Sequence, residues 1–400
     1  MTASITSSRQ LRGLIVACTL LAAPLHAQHG DDSVLRALLH GMRAFASADT
    51  AGARSSFTLA TDAIAGIWGG SAEAASARRL WGSEANKPFR GEAWERMMAF
   101  FYRGLVALQD GDLGVAQAAF RLAVQQDAFA EEEQHRSDVA APLYLLGVAL
   151  QAQGSTGAAA EAFSQLHRLR PDLPRLEATA PSPRLLLIVE TGTAPRKVSD
   201  GINADRLRIF RGRGFEERRV RVQTGTGDVQ ELWPMEDVLW QATSRGGRPF
   251  DFVLRGKARF ADASADNGSA FGGLGQALAF QGLAQQSNGS EASLRVGGAM
   301  RTTGSVLEGV GAATQLVGAM VNAAADVRYW DNLPDAVHLL PLDLPPGPHR
   351  LRVTFRTVDG RDLPELSRDT TVTVLPRRTA SQLVWISSRT RASTYLSRGR

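Results

Sequence analysis

The sequence predicts an α+β protein: helical hairpins in the first half, a β-rich, sandwich-like second half, and a Gly/Ala-rich helical hairpin inserted into the latter. Three observations carry that expectation. Gly41, Ala53, Phe57 and Ala60 stand at offsets of 0, 12, 16 and 19, and Gly104, Ala116, Phe120 and Ala123 repeat those offsets, as do Gly147, Ala159 and Phe163. Past a Pro-rich, charged stretch at 173–183, the helical period gives way to short β-rich runs separated by turn residues. In that second half Gly268, Gly275, Gly282 and Gly289 are seven apart, and so are Gly297, Gly304, Gly311 and Gly318.

Residues 1–27 read as a secretory signal peptide rather than as fold. Arg9 and Arg12 precede an uncharged run from Gly13 to Pro24, and Leu25-His26-Ala27 ends in a small residue, so cleavage there leaves Gln28 first. The single cysteine, Cys18, falls inside that leader. Ile15-Val16-Ala17-Cys18 also resembles the lipobox of bacterial lipoproteins, in which the cysteine is acylated. Against that, only five uncharged residues separate Arg12 from Cys18, short for an apolar core of about seven or more. Either route exports the chain, to the periplasm or to the outer membrane.

In the first helical pair, Asp31-Asp32-Ser33 supplies N-terminal caps and negative charge for a helix through about Ala48, and Asp49-Thr50 opens a second helix. The central pair, within 87–130, turns at Asp110-Gly111-Asp112. A third pair follows, with Leu166 where the others have alanine and Pro171 closing it. Small residues at a helix crossing let the backbones approach, and the phenylalanine fills the space they leave. This spacing resembles the tetratricopeptide repeat, over roughly 35–172, with Leu146-Gly147 and Pro171 matching best. The glycines are 63 and then 43 residues apart, where a regular array has about 34. Inserts therefore lie between the units, with an Ala-rich helix expected at 71–80 and a solvated helix end at Glu131-Glu132-Glu133.

The first helix of each tetratricopeptide unit lines a concave face. Carried through Gly41, Gly104 and Gly147, that resemblance places Met42, Phe45, Phe101, Leu105, Tyr144 and Val148 along the face as a partner-binding groove. Phe101 and Tyr144 occupy equivalent positions, three residues before their glycines, suited to anchoring a helix or an extended peptide.

In the second half, strands are expected at 184–190, 206–210, 219–223, 349–355, 370–375 and 383–386. Between them, at about 250–326, the glycine rows predict a helical hairpin whose seam runs through Val296, Met300, Thr303, Leu307 and Val310. Residues 309–325 are uncharged but number only 17, short of the ~20 apolar residues of a membrane span. Membrane contact would come through lipidation of Cys18 or through that hairpin, and self-association through the glycine rows.

Three short motifs add a more particular likeness. They are Phe89-x-Gly91-Glu92-x-x-Glu95-Arg96-Met97-Met98, Thr193-Ala194-Pro195-Arg196-Lys197, and Ala325-Asp326-x-Arg328-x-Trp330-x-x-Leu333-Pro334. Together they resemble a family of uncharacterised bacterial envelope proteins, many of them lipoproteins, that join tetratricopeptide-like helices to a β-rich C-terminal region. The resemblance implies an envelope location and supplies no catalytic residue.

Residues 28–180 carry 18 acidic and 14 basic side chains, and 181–400 carry 22 and 29, so the basic character belongs to the second half. The arginines are scattered rather than gathered with aromatics, which argues against nucleic-acid binding. His29, His40, His135, His167, His338 and His349 include no pair spaced for a metal. There is no Gly-x-Ser-x-Gly elbow and no phosphate loop with its lysine. Gly272-Gly273-Leu274-Gly275 imitates a nucleotide loop but follows no expected strand. Glu92 and Glu95, at i and i+3, are an acid and base pair in one reading and first-turn carboxylates favoured by the helix dipole in the other. The expectation is an exported, non-enzymatic scaffold that needs neither cofactor nor metal and binds a protein or peptide in the bacterial envelope. A cell-wall glycan- or peptide-acting enzyme and a self-associating outer-membrane module are the alternatives.

Overall fold

A computed structural model describes residues 32–66, 88–127, 139–173, 183–200, 206–225, 227–243, 326–376, 381–390 and 394–396. The leader with Cys18, the helix expected at 71–80, Glu131 to Glu133 and the glycine rows lie outside the described residues. Within them the chain is α+β, helices first and strands after.

Six helices form three antiparallel pairs: α1 (Ser33–Ala46) with α2 (Thr50–Gly66), α3 (Ala93–Asp110) with α4 (Leu113–Asp127), and α5 (Ala140–Ala152) with α6 (Thr156–Leu169). The repeated spacing has the packing role it suggested. A Cβ added to Gly41 would lie 2.7 Å from the Phe57 ring, one on Gly147 would lie 2.6 Å from Phe163, and one on Gly104 would stand closer still to Phe120. The turns repeat as well. Seven residues after each crossing glycine the backbone is left-handed, at Ala48 (φ 61°), Gly111 (φ 78°) and Gly154 (φ 88°). Two of the three positions use glycine, which enters that region without a Cβ clash, and Ala48 adopts it at some cost.

The strands form a five-stranded sheet in the order β11 (Thr394–Leu396), β10 (Gln382–Ser387), β1 (Leu185–Thr191), β7 (Ala336–Leu342), β6 (Glu236–Asp237). A four-stranded sheet runs β5 (Val229–Leu232), β4 (Arg219–Thr224), β8 (Gly347–Arg356), β9 (Asp362–Val374), and β2 (Arg196–Asp200) pairs with β3 (Arg206–Phe210). A short helix, α7 (Val238–Thr243), follows β6. All six runs expected as strands lie on these elements, and β2, β5, β6, β7 and β11 are additional.

Strand β1 is buried along its whole length because both of its faces are covered. Leu185, Leu187 and Val189 belong to a core shared with Val220 and Val222 of β4 and Leu351, Val353 and Phe355 of β8. Leu186 and Ile188 point the other way, into a core shared with Phe45, Phe57, Tyr102 and Trp385. A strand covered on both sides reads as a continuous apolar run, and Leu185-Leu186-Leu187-Ile188-Val189 is one. Stretch 173–183 separates two compositions in the sequence, yet helices and sheet bury their apolar faces in one core.

Gly104→Ala is expected to destabilise the chain by about 1–3 kcal/mol through overpacking, and Phe120→Leu in the same chain should recover part of the loss. Chemical denaturation of the two single variants and the double variant measures this. Additive losses would mean that the ring and the glycine do not share the crossing.

Candidate functional site

The six residues expected to line a partner groove are all in the core. Met42, Phe45, Phe101, Leu105, Tyr144 and Val148 are each 3% exposed or less. For Phe45 the physical reason is the sheet, whereas the Tyr144 ring packs on its own hairpin, 5.8 Å from that of Phe163. Phe45 meets Trp385 of β10 edge-on, with ring centroids 5.5 Å apart, and all six residues share a core with Leu186, Ile188 and Trp385. The apolar stripe of the first helices is real, but it faces the chain's own core, which the β half joins. The Tyr144 hydroxyl is buried without a hydrogen-bond partner, and burial holds its pKa above the usual phenol range.

Where helices meet sheet, three buried glutamates join them. Glu95, in the first turn of α3, is fully buried. Its Oε2 accepts the backbone N–H of Glu92 at 2.7 Å and the Lys197 ammonium at 2.5 Å, and its Oε1 accepts the Trp330 N–H at 2.8 Å. Burial pushes the Glu95 carboxyl up, against the pull of Lys197. Three donors and no acceptor around it call for the ionised form. Lys197, on β2, also donates to Arg328 O at 3.0 Å, and its ammonium lies 5.6 Å from the Phe89 ring centroid and 6.0 Å from that of Trp94. Arg328 in turn pairs with Asp326 at 2.8 Å and with Asp32, just ahead of α1, at 2.6 Å.

The second glutamate, Glu190 at the end of β1, accepts the Tyr102 hydroxyl at 2.6 Å and an Arg389 guanidinium N–H at 2.5 Å. Tyr102 stands amid Phe45, Phe57, Phe101 and Trp330, with centroids 5.2–5.9 Å away. Burial first, and Glu190 second, raise its pKa well above the phenol range. The third is Glu236, which accepts the N–H groups of Ala140 and Ala141 at 2.9 and 3.1 Å. The N-cap of helix α5 is Val139, whose side chain cannot accept a hydrogen bond, and the β half supplies the missing cap.

The three motifs therefore meet in space: Phe89 to Arg96, Lys197, and Asp326 to Trp330 form one buried joint. Glu92 and Glu95 are not open to a substrate as a pair, since Glu95 has both oxygens engaged. Sequence reasoning isolated all three motifs but missed their pairing. The available signal was Lys197 itself, one of three lysines beside 42 arginines. Tyr102 and Glu190 carried no signal that set them apart from their neighbours.

A different surface stays open on the β half. Arg211, Gly212, Phe215, Arg218, Val358 and Arg361 line a cleft of about 360 Å³ together with Glu216, Thr357 and Asp359. Beneath it, Asp335 accepts Arg218 at 3.1 Å and also pairs with Arg211. Burial pushes the Asp335 carboxyl up to about 6, opposed chiefly by Arg211. Among the described residues no three His, Cys, Asp or Glu side chains come together as a metal site, and no helix is long and apolar enough to cross a membrane.

Comparison of the chain with protein-family models, with curated proteins and with solved structures gives no match.

Removing one member of the Glu95 and Lys197 pair should cost about 3–5 kcal/mol, because it strands a buried charge. Glu95→Gln with Lys197→Met is expected to be less destabilised than either single variant, and urea denaturation of the three measures the coupling. Single variants within 1 kcal/mol of wild type would show that water reaches the joint.

His338 on β7 offers a test by pH. Burial pushes its imidazole down to about 4; Nδ1 lies 3.3 Å from Val189 O and Nε2 has no partner. A depressed folded-state value means stability that is complete above the unfolded value of about 6.5 and is lost as pH falls toward 4. Asp335, raised to about 6, acts in the opposite sense over part of that window, so the informative quantity is a difference between variants. His338→Leu should lose less stability than wild type between pH 6.5 and 4. Parallel curves would show that the folded protein protonates His338 without penalty.

Proposed function

We propose that the chain is an exported, non-enzymatic adaptor of the bacterial envelope, built from tetratricopeptide-like helical hairpins and a sandwich-like β half, that engages a protein or peptide partner through its outer surface. One observation carries the non-enzymatic part of this reading: the carboxylates at the joint are committed to structural donors, Glu95 to three and Glu190 to Tyr102 and Arg389. The tetratricopeptide likeness draws support from the glycine and phenylalanine crossings and from the left-handed turn at the same place in each hairpin. Two sheets with a common apolar interior support the sandwich. Export rests on the leader, with Arg9 and Arg12 ahead of an uncharged run.

Because the six first-helix residues are buried in a core shared with the sheet, the basic β half is the better place for the partner. The outer face of the four-stranded sheet carries Arg219, Arg221, Arg350, Arg352 and Arg356, with Asp362, Asp369 and Glu231 among them as ion-pair partners. Such a ladder of opposite charges offers steering and specificity to an acidic partner more than raw affinity.

Affinity capture from envelope extracts with the full chain tests the reading. A partner held equally by wild type and by Tyr144→Phe, and released by Arg350→Glu with Arg352→Glu, is the expected result. Hydrolysis of peptidoglycan by the wild type that Glu92→Gln abolishes would replace the adaptor with the cell-wall enzyme. N-terminal sequencing of the exported protein should give Gln28, and a diacylglyceryl mass on a chain starting at Cys18 would make it an outer-membrane lipoprotein.

A further inference from the structure

The cleft above Asp335 has features of a ligand site that the adaptor reading does not use. Its two inner guanidiniums are fixed from below. Arg211 and Arg218 each bond to Asp335 Oδ2, each through a single nitrogen. A guanidinium carries five N–H donors in a planar fork, so most of the donors of both side chains remain for what enters the cleft. Both side chains are about one-third exposed, at 35% and 32%, while Asp335 is buried at 5%. A buried carboxylate thus holds two partly exposed cations at the lining of a common space.

The backbone that carries them is also held. Arg196 Nε donates to Arg211 O at 3.2 Å, and Arg218 N donates to Arg356 O at 2.8 Å. Gly212 lies so close to Thr193 that a Cβ would run into the carbonyl oxygens of Thr193 and Ala194. The Arg218 guanidinium carbon sits 5.6 Å from the Phe215 ring centroid, within cation–π reach. On the rim, Arg361 pairs with Glu216 at 2.9 Å, and Asp359 is bonded by the Thr357 hydroxyl. The acids of the rim are therefore engaged, and the two inner cations share the buried carboxylate of Asp335.

We propose that this cleft binds a phosphate group, with Arg211 and Arg218 as the clamp and Arg361 as a third donor that exchanges Glu216 for the ligand. A tetrahedral oxyanion presents several acceptors to forks that arrive from different directions, which suits two convergent guanidiniums better than one planar carboxylate does. The phosphate is that of a soluble phosphorylated solute or that of an anionic lipid headgroup. This site stands independently of the adaptor reading, since it needs no protein partner.

Calorimetric titration of the full chain with inorganic phosphate, in a phosphate-free buffer, tests it. One-site saturation is expected. Val358 is 65% exposed at the cleft, so its replacement should leave the fold intact. Val358→Glu should weaken phosphate binding by about tenfold or more and Val358→Lys should strengthen it. Arg218→Lys, which keeps the charge but loses the fork, should weaken it by about tenfold. Arg350→Gln, on the outer face of the four-stranded sheet, should leave it within about twofold. If Arg218→Lys unfolds, the Val358 pair still decides. Absence of saturable binding, indifference to Val358→Glu, or an equal loss in Arg350→Gln overturns the site. Sedimentation with phosphatidylglycerol vesicles, against phosphatidylcholine ones, separates the sources: vesicle binding that inorganic phosphate displaces assigns the headgroup, and phosphate binding without vesicle binding assigns the solute.

Discussion

A carboxylate taken out of water must be met by donors, and Glu95 imposes that demand at the start of the central helix. Its position in the first turn already offers one, the Glu92 N–H, and the positive end of the helix favours its charge. The remaining demand is met from outside the helices, by Lys197 on β2 and by the Trp330 backbone on the approach to β7. Neither half of the chain satisfies this charge alone. The helical array is complete only when the β half has docked, and β2 holds its ammonium under Phe89 and Trp94 only when α3 is in place. Buried ion pairs contribute little net stability, because desolvation offsets their attraction. What this one supplies is register: a shifted docking leaves a charge unpaired in a dry interior, at several kcal/mol.

The other two glutamates apply the same logic at other points of the interface. Glu190 reaches from the end of β1 to Tyr102, whose ring already fills the centre of the aromatic cluster, so a single side chain links apolar packing to a polar bond. Glu236 completes α5 from a strand nearly a hundred residues further on. Helix starts normally find their acceptor within a residue or two, and a start capped from afar depends on tertiary structure. The helices thus supply the apolar area, and the carboxylates set where that area is used.

Much of this fold is legible in the sequence, and the parts that are not share a cause. The crossings at Gly41, Gly104 and Gly147 could be read because a close helix approach demands both a small residue and a filler at fixed spacing, a local requirement. Strand β1 announced itself as an unbroken apolar run. Strand β7 did not: Ala336-Val337-His338-Leu339-Leu340-Pro341-Leu342 contains a proline, which argues against a central strand. It is tolerated because β6 pairs only with Val337 and Ala336, so at Pro341 one edge of the strand has no described strand beside it. Strand β2, Arg-Lys-Val-Ser-Asp, is too polar to read as a strand, and its lysine is paired with a residue on a helix a hundred positions earlier. The groove was misread for a related reason. Apolar periodicity on the first helices specifies that a face is covered, and it is the same whether the cover is a partner or the chain's own sheet.

That ambiguity has a structural resolution. A helical array that binds peptides in its concave face must keep that face wettable in the free state, with polar groups among its anchors. Here the face presents Met42, Phe45, Phe101, Leu105 and Val148, and the one polar atom among the six side chains, the Tyr144 hydroxyl, is left without a partner even when buried. A surface of that kind would be a large exposed apolar patch if it were ever opened, the sort that drives aggregation rather than selective capture. Burial in the core shared with the sheet removes the liability and commits that apolar face to the fold itself. On the proposed adaptor reading, recognition falls to surfaces whose side chains are charged and solvated in the free protein. On the β half those are arginines set by carboxylates: on the sheet face by partners in the open, and in the cleft by the buried carboxylate of Asp335. The exposed ladder suits long-range steering of an acidic partner, and the cleft suits a ligand small enough to reach donors that Asp335 holds at its lining.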